Sequence, residues 1–300
     1  MTNQFNRTAV FISLGLSIAM VFAVIFGAKF YFENTAKAPV ALSPIQSDDA
    51  NSAECKAVVA AAPEEFMGQP RAEIAEPVPA GAAAWAKLSS ESVSLRCGAN
   101  LPYQYTAYSQ TEDIDGDAWL KVKDMTPGSN LTTWYNTDRS PVVAVTTFND
   151  ERPTGLEKTL EPLRKEHHEP RPAPLLKLAD GPDKMCTPLE KALPEHIADG
   201  YTRRSDIEDK NTYVWSAEGR EDIVVRCGVG APENYKPGVQ LQQVNDVPWF
   251  EDTTLAEGTT GGTWFALGRA NDLALFAPQD VANSALVRMS DALAKHTPGQ

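Results

Sequence analysis

The tetrapeptide Leu95-Arg96-Cys97-Gly98 recurs 130 positions later as Val225-Arg226-Cys227-Gly228. The six tryptophans of the 300-residue chain have the same spacing, which pairs Trp85 with Trp215, Trp119 with Trp249 and Trp134 with Trp264. The two remaining cysteines, Cys55 and Cys186, stand 131 positions apart. A register that holds over about a hundred residues indicates an internal repeat. The sequence therefore predicts that one domain is present twice in tandem.

The N-terminal segment is apolar on all faces. Residues 8–28 contain no charged side chain, whereas Arg7 precedes them and Lys29 follows them. About twenty such residues in a helix, at ~1.5 Å each, cross a hydrocarbon core of ~30 Å. A cleaved signal peptide has a shorter apolar run, of roughly seven to fifteen residues. We therefore expect residues 1–33 to be an uncleaved membrane anchor that contacts the membrane through residues 8–28, with a cleaved signal as the alternative.

The four cysteines form one pair in each copy, Cys55 with Cys97 and Cys186 with Cys227. Lone buried thiols are the alternative, but the pair recurs and lacks the close spacing of a zinc site. We predict one disulfide within each copy. Disulfides persist in oxidising compartments. We therefore expect residues 34–300 to be extracytoplasmic and the N-terminus to be cytoplasmic, although the charges that flank the apolar segment are nearly balanced.

The chain is acidic, with 40 acidic and 27 basic residues and a formal net charge of −13. This charge opposes binding to nucleic acid and an electrostatic attachment to anionic lipid or polymer. Solubility is the simplest interpretation of the acidity, and cation binding is the alternative.

Composition predicts the domain limits. Residues 34–54 are rich in Ala, Ser, Pro and Asp without periodicity, and residues 166–183 contain four prolines among charged residues. We interpret the first segment as a stalk and the second as a Pro-rich, semi-rigid linker. The repeat domains then span residues 55–165 and 184–300, and we expect the second to fold alone.

Each copy is predicted to be an antiparallel sheet flanked by an N-terminal and a C-terminal helix, which makes the chain an α+β protein. In the second copy Leu189, Leu193 and Ile197 stand at helical spacing after Thr187-Pro188, and residues 223–225 form a buried strand. Residues 245–246 and 115–116 occupy the same hairpin turn in the two copies. A last helix is predicted from the spacing of three apolar residues, Leu286, Met289 and Leu293.

Two groups of potential metal ligands have simpler interpretations. Residues 113–117, Asp-Ile-Asp-Gly-Asp, begin like a calcium loop but lack its glycine at position six and its glutamate at position twelve. Residues 166–169, Glu-His-His-Glu, lie in the predicted linker, where a solvated charge run is the simpler explanation. We expect a hairpin turn at the first group, and neither a metal nor a cofactor in the protein.

The sequence contains no familiar catalytic motif. Gly-x-Ser-x-Gly, Ser-x-x-Lys and His-Glu-x-x-His are all absent, and we expect no catalytic residue. Candidates for contact with an anion or a partner are four arginines: Arg96, Arg226, Arg203 and Arg269. For Arg96 and Arg226, which recur beside a cysteine, pairing with a carboxylate at the sheet edge is the simpler interpretation.

A family resemblance rests mainly on the second copy. The order of Cys186, Arg203-Arg204, Trp215, residues 226–229, Trp249 and Gly268-Arg269 resembles the actinobacterial family of unknown function numbered 3515. The first copy resembles it more weakly and has Arg71 where the second has two arginines. The resemblance implies one N-terminal hydrophobic segment and an extracytoplasmic domain, and it assigns no activity. A tandem duplication departs from the single copy that is usual in that family.

Two hypotheses for function follow. The first is a non-enzymatic binding or scaffold role at the outer face of the membrane, with the membrane and an envelope protein as partners. The second is an enzyme that acts on envelope or cell-wall material. Metal binding is a third, weaker hypothesis.

Overall fold

The computed structural model describes residues 7–36, 39–42, 47–87, 91–255, 260–269 and 272–296. Residues 1–6 of the predicted anchor, 37–38 and 43–46 of the predicted stalk, and short pieces of both predicted repeat domains lie outside the described residues. Helix α1 spans Arg7–Ala36. Its segment Thr8–Tyr31 is exposed throughout and has a mean hydropathy of 2.6. By length and composition α1 fits a membrane span or a signal sequence.

The first copy contains one large antiparallel sheet. Its elements are, in chain order, α2 (Ala53–Ala61), β1 (Glu65–Phe66), β2 (Gln69–Pro70), β3 (Ala82–Ala86), β4 (Ser92–Cys97), β5 (Thr111–Ile114), β6 (Asp117–Lys123), β7 (Leu131–Asn136), β8 (Arg139–Ser140), β9 (Val143–Phe148), α3 (Glu157–Leu160) and β10 (Arg164–Lys165). The strand order in the six-stranded sheet is β3-β4-β9-β7-β6-β5. Strands β1 with β2, and β8 with β10, form two small ribbons beside it.

The second copy repeats this topology. Its elements are α4 (Cys186–Glu190), β11 (Thr202–Arg203), β12 (Thr212–Ser216), β13 (Ile223–Cys227), β14 (Gln242–Val244), β15 (Val247–Glu251), a 3₁₀ turn (Thr253–Leu255), β16 (Gly261–Ala266), β17 (Leu273–Pro278) and α5 (Gln279–His296). The strand order is β11-β12-β13-β17-β16-β15-β14, so β12, β13 and β17 take the places of β3, β4 and β9. The predicted α+β class, with antiparallel sheets in two halves, is confirmed.

The flanking helices differ between the copies. The last helix of the second copy, α5, has 18 residues, whereas α3 has 4. After β9 the first copy has Pro153 and Gly155, which disfavour a long helix, whereas α5 contains neither residue type. The first helix of the second copy is also shorter than predicted: α4 begins at Cys186 and ends at Glu190. Pro194 disfavours helical geometry at the residue before it, so Leu193 and Ile197 are buried but lie outside the helix.

The duplicated residues form equivalent cores between each sheet and its helices. All six tryptophans are at most 2% exposed. The indole of Trp85 donates to the carbonyl of Pro63 at 2.7 Å, and that of Trp215 donates to the carbonyl of Pro194 at 2.9 Å. These matched hydrogen bonds fix the chain that follows the first helix onto the sheet in both copies.

Both predicted disulfides are present. Cys55 is bonded to Cys97 and Cys186 to Cys227, with sequence separations of 42 and 41 residues. Each bond joins the first helix of a copy to the end of a sheet strand, β4 in the first copy and β13 in the second. Gly98 and Gly228 follow with φ values of 81° and 74°, a left-handed conformation that favours glycine, which explains the repeated Cys-Gly pair.

The outer face of the second sheet is covered by residues 171–181, which we call the strap. Ala173 and Leu175 of the strap are buried in a cluster with Val224, Phe265 and Phe276 of the sheet. The second sheet is therefore buried on both faces, with helices on one face and the strap on the other. The strap lies within the segment that composition assigns to a linker.

Arg226 holds the strap in place. Its guanidinium donates to the carbonyls of Leu175 at 3.0 Å and Leu178 at 2.6 Å, and it forms an ion pair with Asp180. Leu175 has a φ of 68°, a left-handed conformation that costs a residue with a side chain about 1–2 kcal/mol. The burial of Leu175 and the arginine hydrogen bonds offset this cost.

The first copy is also contacted by chain that precedes it, at Val40 and in the segment 47–50. Val40 is buried and forms a parallel bridge to Ile74. A Cβ atom on Gly98 would lie 2.5 Å from the backbone nitrogen of Ala50, so this segment crosses the turn after β4 closely. Val40 and residues 47–50 of the predicted stalk are therefore packed against the first copy.

We predict that each disulfide stabilises its own copy. In the chain-entropy model, closing a loop of about 40 residues contributes about 4 kcal/mol. The double variant C186A/C227A should lose roughly this amount in denaturant unfolding of the full chain, while Cys55–Cys97 remains intact in non-reducing peptide maps. An unchanged unfolding curve, or a map that joins Cys55 to Cys186 in the wild type, would contradict the assignment.

We also predict that the second copy needs its strap. Removal of the strap would expose Phe265 and Phe276 on the outer face of the sheet, and burial of each large apolar side chain contributes about 1.5–3 kcal/mol. A fragment of residues 170–300 should be monomeric and unfold cooperatively under oxidising conditions. A fragment of residues 184–300 should be several kcal/mol less stable or should associate. Equal stability of the two fragments would show that the strap contributes nothing.

Candidate functional site

The two copies meet at a junction that includes the strap. Tyr108 of the first copy is buried in the outer cluster of the second sheet, and its hydroxyl donates to Asp209 at 2.7 Å. Lys121 of the first copy forms an ion pair with Glu218 of the second. The backbone N–H of Lys123 in β6 donates to the carbonyl of Gly219 at 2.8 Å. The copies are therefore joined by apolar contacts, an ion pair and a backbone hydrogen bond.

A cavity of about 510 Å³ lies at this junction. We call it the junction cavity. It lies between the strap and the second sheet, and Tyr103 and Thr106 of the first copy also line it. Its apolar walls come mainly from Leu175, Leu178, Leu255 and Phe276. This volume is within the range of small-molecule sites, roughly 300–1,000 Å³, which are also mostly apolar with a few polar groups.

The junction cavity contains one carboxyl group, that of Glu221. Glu221 is 8% exposed, and its Oε2 accepts a hydrogen bond from the hydroxyl of Thr260 at 3.0 Å. Burial raises the pKa of Glu221 from the ordinary 4.5 to about 7, helped by the adjacent Asp222 charge and opposed by the Thr260 hydrogen bond. Among the described residues, no lysine or arginine forms an ion pair with it.

The next residue, Asp222, lines a different space. This polar pocket of about 140 Å³ is also bounded by Gln104, Ser109 and Lys121 of the first copy. The hydroxyl of Ser216 donates to Asp222 at 2.5 Å. Burial raises the pKa of Asp222 to about 6. Burial therefore raises the pKa of both carboxyl groups, but the two groups do not face a common cavity.

The geometry of the carboxyl groups limits their chemistry. A pair that acts as general acid and base must reach the same substrate. Glu221 and Asp222 line separate cavities, so a molecule in the junction cavity meets a single titratable carboxyl. This arrangement provides a largely apolar site with one buried carboxyl group.

The four arginines predicted as contact residues are engaged within the protein and do not gather at one site. Arg226 binds the strap and forms an ion pair with the carboxylate of Asp180. Arg96 is buried, which lowers the pKa of its guanidinium. Arg269 donates to the carbonyl of Asp246 at 2.7 Å.

Arg203 has an equivalent in the first copy. Its guanidinium lies 5.0 Å from the ring centre of Tyr213 and donates to the carbonyl of Glu190 at the end of α4. Arg71 lies 5.1 Å from the ring centre of Trp85 and donates to the carbonyl of Val59 in α2. Each arginine links the first helix of its copy to the sheet.

The two groups of potential metal ligands also have internal contacts. Asp115 and Gly116 have φ values of 57° and 81°, as a tight hairpin turn requires, and Asp117 forms ion pairs with Arg139 and Lys165. His168 contacts the carbonyl of Arg139 at 2.7 Å. In the part of the chain that the structure describes, no group of three or more His, Cys, Asp or Glu side chains is placed to hold a metal ion.

Sequence reasoning missed Glu221 and Asp222. They end the charged stretch Glu218-Gly219-Arg220-Glu221-Asp222, which has the composition of an exposed turn. At the same register, the first copy has Glu91 and Ser92, and Glu91 is exposed. The glutamate therefore recurs and only Asp222 differs between the copies, so the sequence gives no indication that Glu221 is buried.

The comparison with protein families gives one result. The chain matches the family described as "Protein of unknown function (DUF3515)" over residues 14–173 and again over residues 163–300. The chain therefore belongs to this family, and the two matches are consistent with a tandem duplication. No curated protein and no solved structure matches the chain.

The raised pKa of Glu221 predicts a pH-dependent stability. The folded protein binds the proton more tightly than the unfolded chain, so stability from this group is present below pH 4.5 and is lost as the pH rises through about 7. This difference in the pKa of Glu221 between the unfolded and the folded chain corresponds to roughly 3 kcal/mol in the free energy of unfolding. The variant E221Q should therefore unfold at a higher denaturant concentration than the wild type at pH 8, with little difference at pH 4.5.

The matched control is E208Q, which removes an exposed carboxylate of the same copy. It should leave the unfolding midpoint unchanged at both pH values. The raised pKa of Asp222 also makes the folded protein less stable as the pH rises, so some pH dependence of the unfolding midpoint should remain in E221Q. A pH profile of E221Q identical to that of the wild type would show that Glu221 is not desolvated.

Proposed function

We propose that the protein is a single-pass membrane protein of the cell envelope whose two repeat domains form an extracytoplasmic binding module. Helix α1 is the anchor, residues 34–300 lie outside, and the N-terminus is cytoplasmic. Two observations support this arrangement: the Thr8–Tyr31 segment of α1 is apolar and exposed, and both cysteine pairs are oxidised. A non-enzymatic binding or scaffold role fits this location.

The junction cavity is the observation that carries the binding role. It is built from both copies and the strap, so the duplication itself creates it. It combines an apolar wall with one buried carboxyl, which is the composition of a ligand site. Arg203, Arg226 and Arg269 bind other parts of the chain, which favours the cavity over an arginine-based anion site. An envelope protein remains a proposed partner of the module.

An enzyme that acts on envelope or cell-wall material is the second candidate. The observation that favours it is the raised pKa of Glu221, because carboxyl groups with a pKa near 7 are typical general acids. Turnover of a cell-wall precursor by the purified protein, abolished in E221Q and retained in E208Q, would establish this function in place of binding.

The proposed topology predicts a specific protease pattern. Protease added to intact cells that express the full chain should degrade everything beyond about residue 34 and leave a short membrane-bound fragment that retains Met1. Lysed cells provide the control for protease activity. Protection of the repeat domains in intact cells would show the opposite orientation, and a mature chain that begins after α1 would show a cleaved signal.

A further inference from the structure

The geometry points to an apolar molecule with one basic nitrogen as the occupant of the junction cavity, its ammonium group placed against Glu221. This inference rests on the proposed binding function and specifies the class of ligand.

The lining of the cavity selects an apolar body. Leu175, Leu178 and Phe276 line one continuous space between the strap and the sheet, and Leu255 lies at its exposed edge. Contact with such walls removes apolar ligand surface from water, which favours binding. A strongly hydrated molecule, such as a sugar or a phosphate, would gain little from this surface.

The buried carboxyl group of Glu221 determines which polar group of a ligand would be favoured. A carboxylate taken out of water is costly unless a cation or several hydrogen-bond donors compensate it. Glu221 accepts one hydrogen bond from the Thr260 hydroxyl, and in the described chain no cationic side chain pairs with it. An ammonium group supplies both the missing charge and further donors. A carboxylate or phosphate ligand would instead meet a like charge.

The neighbouring cationic side chains do not neutralise Glu221 in the way that a ligand ammonium group would. Arg171 lies at the exposed side of the cavity, 4.1 Å from the ring centre of Tyr103, and donates to the carbonyl of Pro102. Lys177 also lines the cavity from the strap and is exposed. Arg220, next to Glu221 in the chain, is paired with Asp280. These cations favour an ionised Glu221 only weakly because they face water or other partners.

Binding of such a ligand releases a proton. The unoccupied carboxyl is largely protonated below pH 7 because burial raises its pKa. An ammonium group binds the ionised form, so the carboxylic proton leaves to solvent when the complex forms. Affinity therefore rises as the pH increases through about 7, with Glu221 as the group that titrates and Asp222 as its nearest acidic neighbour.

The test uses the full chain in lipid nanodiscs and three probes that differ only in their polar group: 4-phenylbutylamine, 4-phenylbutanol and 4-phenylbutyrate. Titration calorimetry against empty nanodiscs removes the contribution of partitioning into lipid. At pH 8 the amine should bind at least tenfold more tightly than the alcohol, and the carboxylate should bind most weakly. At pH 6.5 the amine should release up to one proton, measured from the heat of binding in buffers of different ionisation enthalpy.

Three variants locate the site. E221Q should remove the tenfold preference for the amine and the proton release while leaving the affinity for the alcohol unchanged. E208Q is the matched control and should behave as the wild type. L255W, at an exposed position on the cavity wall, should weaken all three probes, and circular dichroism checks that each variant is folded.

Equal affinity for the amine and the alcohol, an unchanged preference in E221Q, or no binding of any probe by the folded protein at millimolar concentration would overturn the assignment. Binding that L255W does not weaken would place the site elsewhere and would also overturn it. These outcomes are independent of the protease experiment. If the protease pattern contradicts the proposed topology while the amine still binds as expected, the proposed location is refuted and the ligand assignment stands.

Discussion

The interaction on which the structure depends is the attachment of the strap to the outer face of the second sheet. Arg226 donates to three strap carbonyls and pairs with Asp180, while Ala173 and Leu175 lie in the apolar cluster beneath. Without this attachment the second sheet would expose large apolar side chains on one face. With it, the strap also forms one wall of the junction cavity. The attachment of the strap therefore both stabilises the second sheet and forms the proposed binding site.

The sequence predicted the parts of the fold that local and repeated patterns determine. Matched tryptophans and cysteines gave the duplication and both disulfides, because bulky core residues and bridges change little between copies. The sequence did not predict the strap, since its prolines and charges are typical of a linker and the burial of Leu175 depends on the distant sheet. A signal was present: Pro44-Ile45 stands 130 positions before Pro174-Leu175. The family match that begins at residue 163 also includes the strap.

The candidate site was less predictable than the fold. Glu221 and Asp222 belong to a charged turn, and their burial comes from side chains of the first copy and the strap that are remote in sequence. The arginines suggested by the repeat are recurrent because they link helices and the strap to the sheets. Glu221 itself recurs as Glu91, but Glu91 is exposed whereas Glu221 is buried, so recurrence between the copies did not reveal the proposed site.

Native-state hydrogen exchange of the strap tests this account most directly. The amides of Arg171, Gly181 and Gly230 connect the strap to the two copies, through hydrogen bonds to Tyr105, Gly228 and Ala179 at 3.0, 2.8 and 2.7 Å. If the strap is part of the fold, these three amides exchange as slowly as those of β13, because they open only when the second sheet opens. Exchange of the Arg171 and Gly181 amides at the rate of an unstructured peptide would show a solvated linker, and would contradict both the joined architecture and the junction cavity.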